Sequence, residues 1–437
     1  MRKTKSCIHL QHALYFGPDE IRACSQRFFY KGKMKGDASL IEVQEHSLIN
    51  YEQIIEAKKE LIRKINANEE SQCKGCPQIK SQDWDPIEKA ELKTLSVENH
   101  SLCNMKCTYC SPLYFGGVKP KYDILQAIDG AKVSDRDLFV AWGGGEPTAR
   151  RDFDDLLDAF NSHFCPSNQR IFTNALLYSS VIQRLVDENH ASITTSVDAG
   201  TEETFKRVRK TRGLQKVIEN LKKYATVNPQ LVTIKYILTE DNLTLPELDE
   251  FVCLVEEAGL LKCHFLVSTD FKNEQMSDDM LHSGLYLYCR LFEKGVRALN
   301  MDDHFFNRTQ GNESLISCLH SLSNGKNRIG GWVDEVLQLF KSKNSSKLVI
   351  WGTGQQAEAL IRRIMKQGQL EWEIECVVDT NSERWGQSFL SFEIKSPDEI
   401  TDDCDILIGS SNYYGEIYGH ILEKNISPQR ILPNIMF

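Results

Sequence analysis

The sequence predicts an α/β protein: a partial (β/α)6 barrel, preceded by a cysteine-rich amino-terminal region and followed by a small Rossmann-like domain. Three observations carry this. Six short β-rich runs alternate with amphipathic stretches between residues 92 and 268. Seven of the 14 cysteines fall within the first 110 residues. From residue 348, LVIWGTGQQAEALIRRIMKQG reads as strand, glycine turn and helix. At 437 residues the chain is too long for one ordinary core, so several domains are expected.

The strand candidates are LKTLSVEN (92–99), DLFVAWG (137–143), RIFTNA (170–175), ITTSVD (193–198), VTIKYIL (232–238) and CHFLVS (263–268). Between them lie helix candidates such as DFDDLLDAFNSHF (152–164), SVIQRLVDENH (180–190) and LPELDEFVCLVEEAG (245–259). Regular alternation argues for parallel strands joined by crossover helices. In such barrels the chemistry sits in the loops after the strands. The expected organisation is a cysteine-rich region over 1–90, the barrel over 91–275, a helical extension and linker over 276–345, and the Rossmann-like domain over 346–437. In the first region QIIEAKKELIRKINANEE (53–70) reads as a polar helix.

Composition is that of a globular protein, with 41% hydrophobic and 26% charged residues. The 61 acidic and 52 basic side chains leave a net charge of −9 and no basic stripe, which speaks against nucleic acid as a partner. The start, MRKTKSCIHLQHALYF, is a poor signal peptide because His9, Gln11 and His12 interrupt its apolar run. No run approaches the roughly 20 apolar residues that span a bilayer, so no membrane partner is expected. Clustered cysteines without a secretory signal read as thiolates held for metal, and the protein is expected to be cytoplasmic.

SLCNMKCTYCSP (101–112) follows the first strand and places Cys103, Cys107 and Cys110 in the pattern Cys-x3-Cys-x2-Cys. Structural zinc fills four protein positions, and His100 is the one nearby residue that could complete the set. The alternative is a [4Fe–4S] cube with three irons held by thiolate and the fourth left open. Further along stand WGGGEPTAR after the second strand, SVDAGTEETFKRVR after the fourth and ILTEDN after the fifth. With the cysteine loop, these motifs resemble the radical S-adenosylmethionine (SAM) superfamily over roughly residues 92–275. The resemblance implies that Cys103, Cys107 and Cys110 are the catalytic cluster ligands and that SAM occupies the open iron. It sets Tyr109 against the adenine, Gly144 and Gly145 beside the methionine moiety, and Glu146 on its ammonium group. Ser196 and Asp198 would face the ribose or the substrate, and Asn242 would end the fifth strand. The implied chemistry is reductive cleavage of SAM to a 5′-deoxyadenosyl radical that abstracts hydrogen, fed by a donor such as flavodoxin or ferredoxin.

CKGC (73–76) has the spacing of a metal knuckle for zinc or iron, and with Cys7 and Cys24 it makes a set of four. Related enzymes of the SPASM and twitch types carry an auxiliary [4Fe–4S] cluster, normally after the barrel. Here the extra cysteines precede it. Cys165, Cys253, Cys263, Cys289, Cys318, Cys376 and Cys404 stand alone and read as small buried residues.

In WGTGQQAEAL, Gly352 and Gly354 begin a dinucleotide fingerprint whose third position is Ala357, and Asp379 stands where a ribose-binding acid falls. A nucleotide at this turn competes with a tight turn that binds nothing. The unit is similar to small Rossmann-like domains attached to carbohydrate-modifying enzymes. The leading expectation is therefore oxidation, epimerisation or rearrangement of a sugar or nucleotide-sugar. The alternatives are maturation of a ribosomally made peptide or protein, and a non-enzymatic iron–sulfur sensor.

Overall fold

The computed structural model describes residues 3–45, 47–110, 117–134, 137–270, 276–302, 305, 345–367, 372–411 and 413–434. Two units emerge, one of residues 1–106 with 110–194 and one of residues 107–109 with 195–437.

The first unit holds the strands Thr94–Val97, Phe139–Trp142 and Asn168–Phe172, parallel and in register, with Ser192–Thr194 beside the last. Alternation sets their two faces. Val140 and Trp142 are buried whereas Phe139 and Ala141 are half-exposed. The Trp142 ring packs edge-on against Phe153 and Phe160, 5.8 and 5.1 Å away, on the helix Phe153–Phe164. Its indole N–H donates to Gln169 Oε1 at 2.9 Å, which satisfies the polar atom of a large core side chain. Gln169 and Trp142 thereby fix the second strand to the third.

The amino-terminal stretch extends this sheet. Ala13–Phe16 runs parallel to Thr94–Val97, and Glu20–Arg22 and Ser39–Glu42 follow it antiparallel. These strands are three or four residues long, too short for a period to show in the sequence. The expected helix is present as Tyr51–Asn66, started by a reciprocal cap between Asn50 and Gln53.

The second unit holds the parallel strands Val232–Leu238, His264–Thr269 and Leu299–Met301, with helices Leu245–Glu257 and Asp278–Glu293. Leu299–Met301 is a strand within a stretch expected to be helical; its three buried residues gain their ladder only from the neighbour at Phe265–Val267. Residues 306–344, including Cys318 and most of the expected linker, lie outside the described residues. The strand-and-helix order of the two units is that of a partial (β/α)6 barrel.

The carboxyl-terminal part is a five-stranded sheet with Lys347–Trp351 between the parallel strands Glu373–Val378 and Cys404–Ile408. The helix Tyr414–Glu423 packs onto the barrel residues of the same unit. The Tyr414 and His264 rings stack at 5.4 Å and 11°. A Cβ on Gly415 would lie 2.8 Å from the Gln230 carbonyl oxygen, so glycine permits this approach. Among the described residues, no helix is long and apolar enough to cross a membrane.

Glu247, at the start of Leu245–Glu257, organises the turn before the helix Glu202–Arg209. Its Oε1 accepts from the Gly200 and Thr201 amides at 2.5 and 3.1 Å, and its Oε2 from the Thr201 and Thr204 hydroxyls at 3.0 and 2.7 Å. Hydrogen bonds to a charged acceptor are worth more than neutral ones, and removing it strands buried donors. Glu247→Ala is expected to lower unfolding free energy by about 2 kcal/mol, measured by chemical denaturation of the protein.

Candidate active site

The cysteine loop is anchored by backbone. Gly145 N–H donates to the His100 carbonyl at 3.2 Å, and Glu146 N–H to the Leu102 carbonyl at 2.6 Å. A Cβ on Gly145 would stand 1.9 Å from the Leu102 oxygen; one on Gly144, whose φ is +97°, would stand 2.6 Å from the His100 oxygen. Both glycines are thus required for close packing against the loop itself.

Glu146 is buried at 1% exposure. Its Oε1 accepts from the Thr148 amide and hydroxyl at 3.2 and 2.6 Å and from the Thr173 hydroxyl at 2.7 Å; its Oε2 accepts from the Asn174 amide at 2.5 Å. Burial pushes its carboxyl up, and these donors oppose the shift. Asn174 also donates from Nδ2 to Asn104 Oδ1 at 2.6 Å, tying the third strand's loop to the cysteine loop.

Cys103 is exposed and its sulfur accepts from the Met105 amide at 3.5 Å; Cys110 is half-buried. His100 is buried, with Nδ1 unpartnered, and its pKa falls to about 4 through desolvation and the nearby Arg150 guanidinium. The imidazole is therefore neutral.

Within the second unit, Thr108 N–H donates to the Val208 carbonyl at 2.9 Å, and the Tyr109 hydroxyl donates to Asp198 Oδ2 at 2.6 Å. Arg209 pairs with the same oxygen at 2.9 Å and also donates to the Tyr109 hydroxyl. Asp198 Oδ1 accepts from the Ile237 amide at 2.7 Å. Asp198, expected at the ribose or the substrate, is instead fully buried, with both carboxylate oxygens taken by the protein. Its φ of +63° turns the chain after the fourth strand. Asn242 completes the turn, donating to the Asp198 and Ile237 carbonyls at 3.0 and 2.9 Å. Ser196, half-buried, ends the strand Ser192–Ser196.

Arg209 is the residue that sequence reasoning missed. It stands 11 positions after Asp198 on the next helix, in a run of basic residues (KRVRK) that reads as solvated surface. Burial pushes the Cys107 thiol up, and the Arg209 guanidinium is the chief influence in the other direction, favouring thiolate.

The amino-terminal cysteines come together from three separate stretches of chain. Cys7, Cys73 and Cys24 share an apolar cluster, and Cys76 lies within electrostatic reach of Cys7, Cys24 and Cys73. The knuckle depends on Gly75 (φ +83°), where a Cβ would sit 2.1 Å from the Tyr30 ring. Burial raises the Cys73 thiol to about 12 and Cys7 and Cys76 in the same direction. Cys7, Cys24, Cys73 and Cys76 are free thiols. Among the described residues no three His, Cys, Asp or Glu side chains converge as ligands of one ion. Four unpaired thiols in one apolar neighbourhood are nevertheless a donor set suited to an iron–sulfur centre. Of the solitary cysteines, Cys263, Cys289, Cys376 and Cys404 are buried as expected, whereas Cys165 and Cys253 are exposed.

At the carboxyl-terminal glycine turn, Gly352 has φ +113°, and a Cβ on Gly354 would meet nothing within 4 Å. Ala357 packs under Gly409, whose own Cβ would stand 2.7 Å away. Asp379 Oδ2 accepts from the Thr353 hydroxyl and pairs with Arg384 at 3.5 Å, while Oδ1 accepts from the Asn381 amide at 2.9 Å. The acid stands beside the turn, and both of its oxygens are engaged by the protein.

A family model for the radical SAM superfamily matches residues 100–252. Residues 100–252 accordingly form a radical SAM domain. The cofactors of this superfamily are a [4Fe–4S] cluster and SAM, and the three-thiol loop suits that pair. A second model, C2185-like N-terminal, matches residues 344–432. Mycofactocin maturase MftC of Mycobacterium tuberculosis is 26% identical over 238 residues, covering 51% of this chain and 58% of its own length. GTP 3′,8-cyclase of Clostridium botulinum is 22% identical over 174 residues, covering 38% and 54%. The chain thus spans less than two thirds of either relative. Streptococcus suis SuiB bound to SAM aligns with 17% identity over 60% of this chain and 58% of that one, with a TM-score of 0.40.

Among the described residues, Arg209–Asp198 is an ion pair in which both side chains are almost wholly buried, at 5% and 0% side-chain exposure. Removing one partner of such a pair leaves a charge buried without compensation. Arg209→Met is expected to destabilise the protein by about 3–5 kcal/mol, read from denaturant midpoints.

Proposed function

We propose that this radical SAM protein is an enzyme that abstracts hydrogen from a peptide or protein substrate. The observation that carries the activity is the three-cysteine loop held to the Gly144–Gly145–Glu146 turn by backbone hydrogen bonds. Cys103, Cys107 and Cys110 would hold the cluster. When bound, it supplies the electron that cleaves SAM to a 5′-deoxyadenosyl radical. The chain's own residues orient and enclose: Gly145 fixes the loop's path, Arg209 favours the Cys107 thiolate, and Glu146 holds a buried carboxylate in place. Cys7, Cys24, Cys73 and Cys76 would hold an auxiliary [4Fe–4S] cluster.

Support for a peptide comes from the maturase, whose match covers half of the chain. The sugar or nucleotide-sugar expectation has no counterpart among these relatives, which are named as a maturase and a GTP cyclase. Reconstituted and reduced without oxygen, the wild-type protein should convert SAM to 5′-deoxyadenosine, and Cys107→Ala should not. Equal yield from the two proteins would sink the assignment. Short peptides encoded beside the gene should raise that yield above the basal level. If nucleotide-sugars or GTP raise it and the peptides do not, the substrate class is wrong.

A second reading concerns the glycine turn at Gly352–Gly354. The open space at Gly354 and the start of the helix Gln355–Gln367 suit the phosphate of a nucleotide. Calorimetric titration with NAD, GTP and a uridine-diphosphate sugar should find one that binds wild type and is lost in Gly354→Val. No heat from any of the three would leave the turn as a packing device.

A further inference from the structure

The second unit carries a charged cluster on its strands that neither polar network above uses. In Val232–Leu238, Val232, Ile234 and Tyr236 are buried, and the Tyr236 ring packs 4.8 Å from Phe251 on the helix Leu245–Glu257. Thr233 and Lys235, both half-buried, alternate with them and point to the other side of the sheet, the inner face of a barrel. The register sets Lys235 level with Leu266 and Ile237 level with Ser268 on the next strand, and Val267 level with Met301 on the one after. Asp302 follows Met301 directly and so stands beside Ser268.

These side chains meet. The Lys235 ammonium pairs with Asp302 Oδ2 at 3.2 Å, and the Ser268 hydroxyl donates to the same oxygen. Asp302 Oδ1 accepts from the Phe305 amide at 3.0 Å, so both carboxylate oxygens are engaged. The lysine is only partly used. An ammonium has three donors, and Asp302 is its one partner among the described residues. The Lys235 side chain keeps 20% exposure against 10% for Asp302, and Ser268 is fully buried. The Val197 amide donates to the Lys235 carbonyl at 3.0 Å, which by parallel pairing sets the half-buried Ser196 level with Lys235. One face thus offers a fixed cation and a neighbouring hydroxyl, while its own carboxylate is spent.

We propose that Lys235 is a substrate-binding residue that takes a carboxylate of the peptide, with Asp302 and Ser268 positioning its ammonium. The inference rests on the reading that the substrate is a peptide. The recognition is the same whether the carboxylate is an acidic side chain or the carboxyl terminus: an N–H of the ammonium donates to a charged oxygen, a bond roughly twice as strong as a neutral one. The place suits the role. Ser268 and Asp302 lie at the carboxyl ends of their strands, where barrels meet their substrates. A cation held by one carboxylate also disfavours a second cation at the same spot, so the site selects by charge.

The test uses the full-length chain, reconstituted and reduced, with the synthetic peptide encoded beside the gene that most raises 5′-deoxyadenosine formation. It is compared with the same peptide carrying Asn and Gln for Asp and Glu, with its carboxyl-terminal amide, and with the form bearing both changes. One of the single changes should raise the half-saturating peptide concentration about tenfold, and the change that does so names the source of the carboxylate. Lys235→Met should raise that concentration as much for the unmodified peptide, more than it lowers the maximal rate, and should no longer distinguish it from the neutral form. Lys235→Arg should stay near the parent. Equal half-saturation by charged and neutral peptides in the parent overturns the proposal without recourse to a variant. So does a Lys235→Met protein that still distinguishes them, or one in which only the maximal rate falls. If no peptide raises the parent's yield, the peptide reading itself has failed and the proposal falls with it.

Discussion

The approach of the Gly144–Gly145 turn to the backbone of residues 100–102 is the constraint on which the candidate site depends. At 1.9 Å from the Leu102 oxygen there is no room for a side-chain carbon on Gly145, and the amides of Gly145 and Glu146 take up carbonyls that the loop would otherwise leave unsatisfied. From this contact the order spreads outward. Glu146 carries it to Thr173 and Asn174 after the third strand, and Asn174 returns it to Asn104 within the cysteine loop. Three successive strand ends are thus stitched into one polar network with few free donors. Such networks specify geometry when all members are satisfied.

A second network does the same for Cys107 and Tyr109. Asp198 receives a phenol, a guanidinium and a backbone amide, and Asn242 closes the turn beneath it. The residue types at the superfamily's motif positions are therefore used here to shape the chain around the cysteines. In both networks burial pushes the carboxyl up, and the surrounding donors, with the Arg209 guanidinium foremost at Asp198, oppose that shift.

How much was legible in the sequence follows from physical scale. Val232–Leu238 is recovered in full because it is seven residues long and its first five alternate between buried and half-buried. Leu299–Met301 and the strands at 13–16, 20–22 and 39–42 were not, because three or four residues carry no period and depend on their neighbours. The cysteine loop and the glycine turn were visible, since thiolates at close spacing and adjacent glycines each have few structural uses. Arg209 and Lys58 were hidden. Both lie in charged helical stretches that look solvated, and only the fold shows them buried. Asp198 was found at the right place for a different reason: its carboxylate serves the protein.

The stacking of Tyr414 on His264 bears on how this chain could be divided. The His264 ring is also held by Thr233 at 3.0 Å and Asn300 at 2.6 Å, on the strands to either side. An imidazole flanked by two barrel strands therefore takes its apolar cover from the carboxyl-terminal domain. The boundary that looks like a linker in composition therefore separates two modules that share buried core, Ala298 packing in one apolar cluster with Val349 and Trp351. A gene trimmed at that point would yield a barrel with an uncovered face, so the two modules have to be inherited, expressed and engineered together.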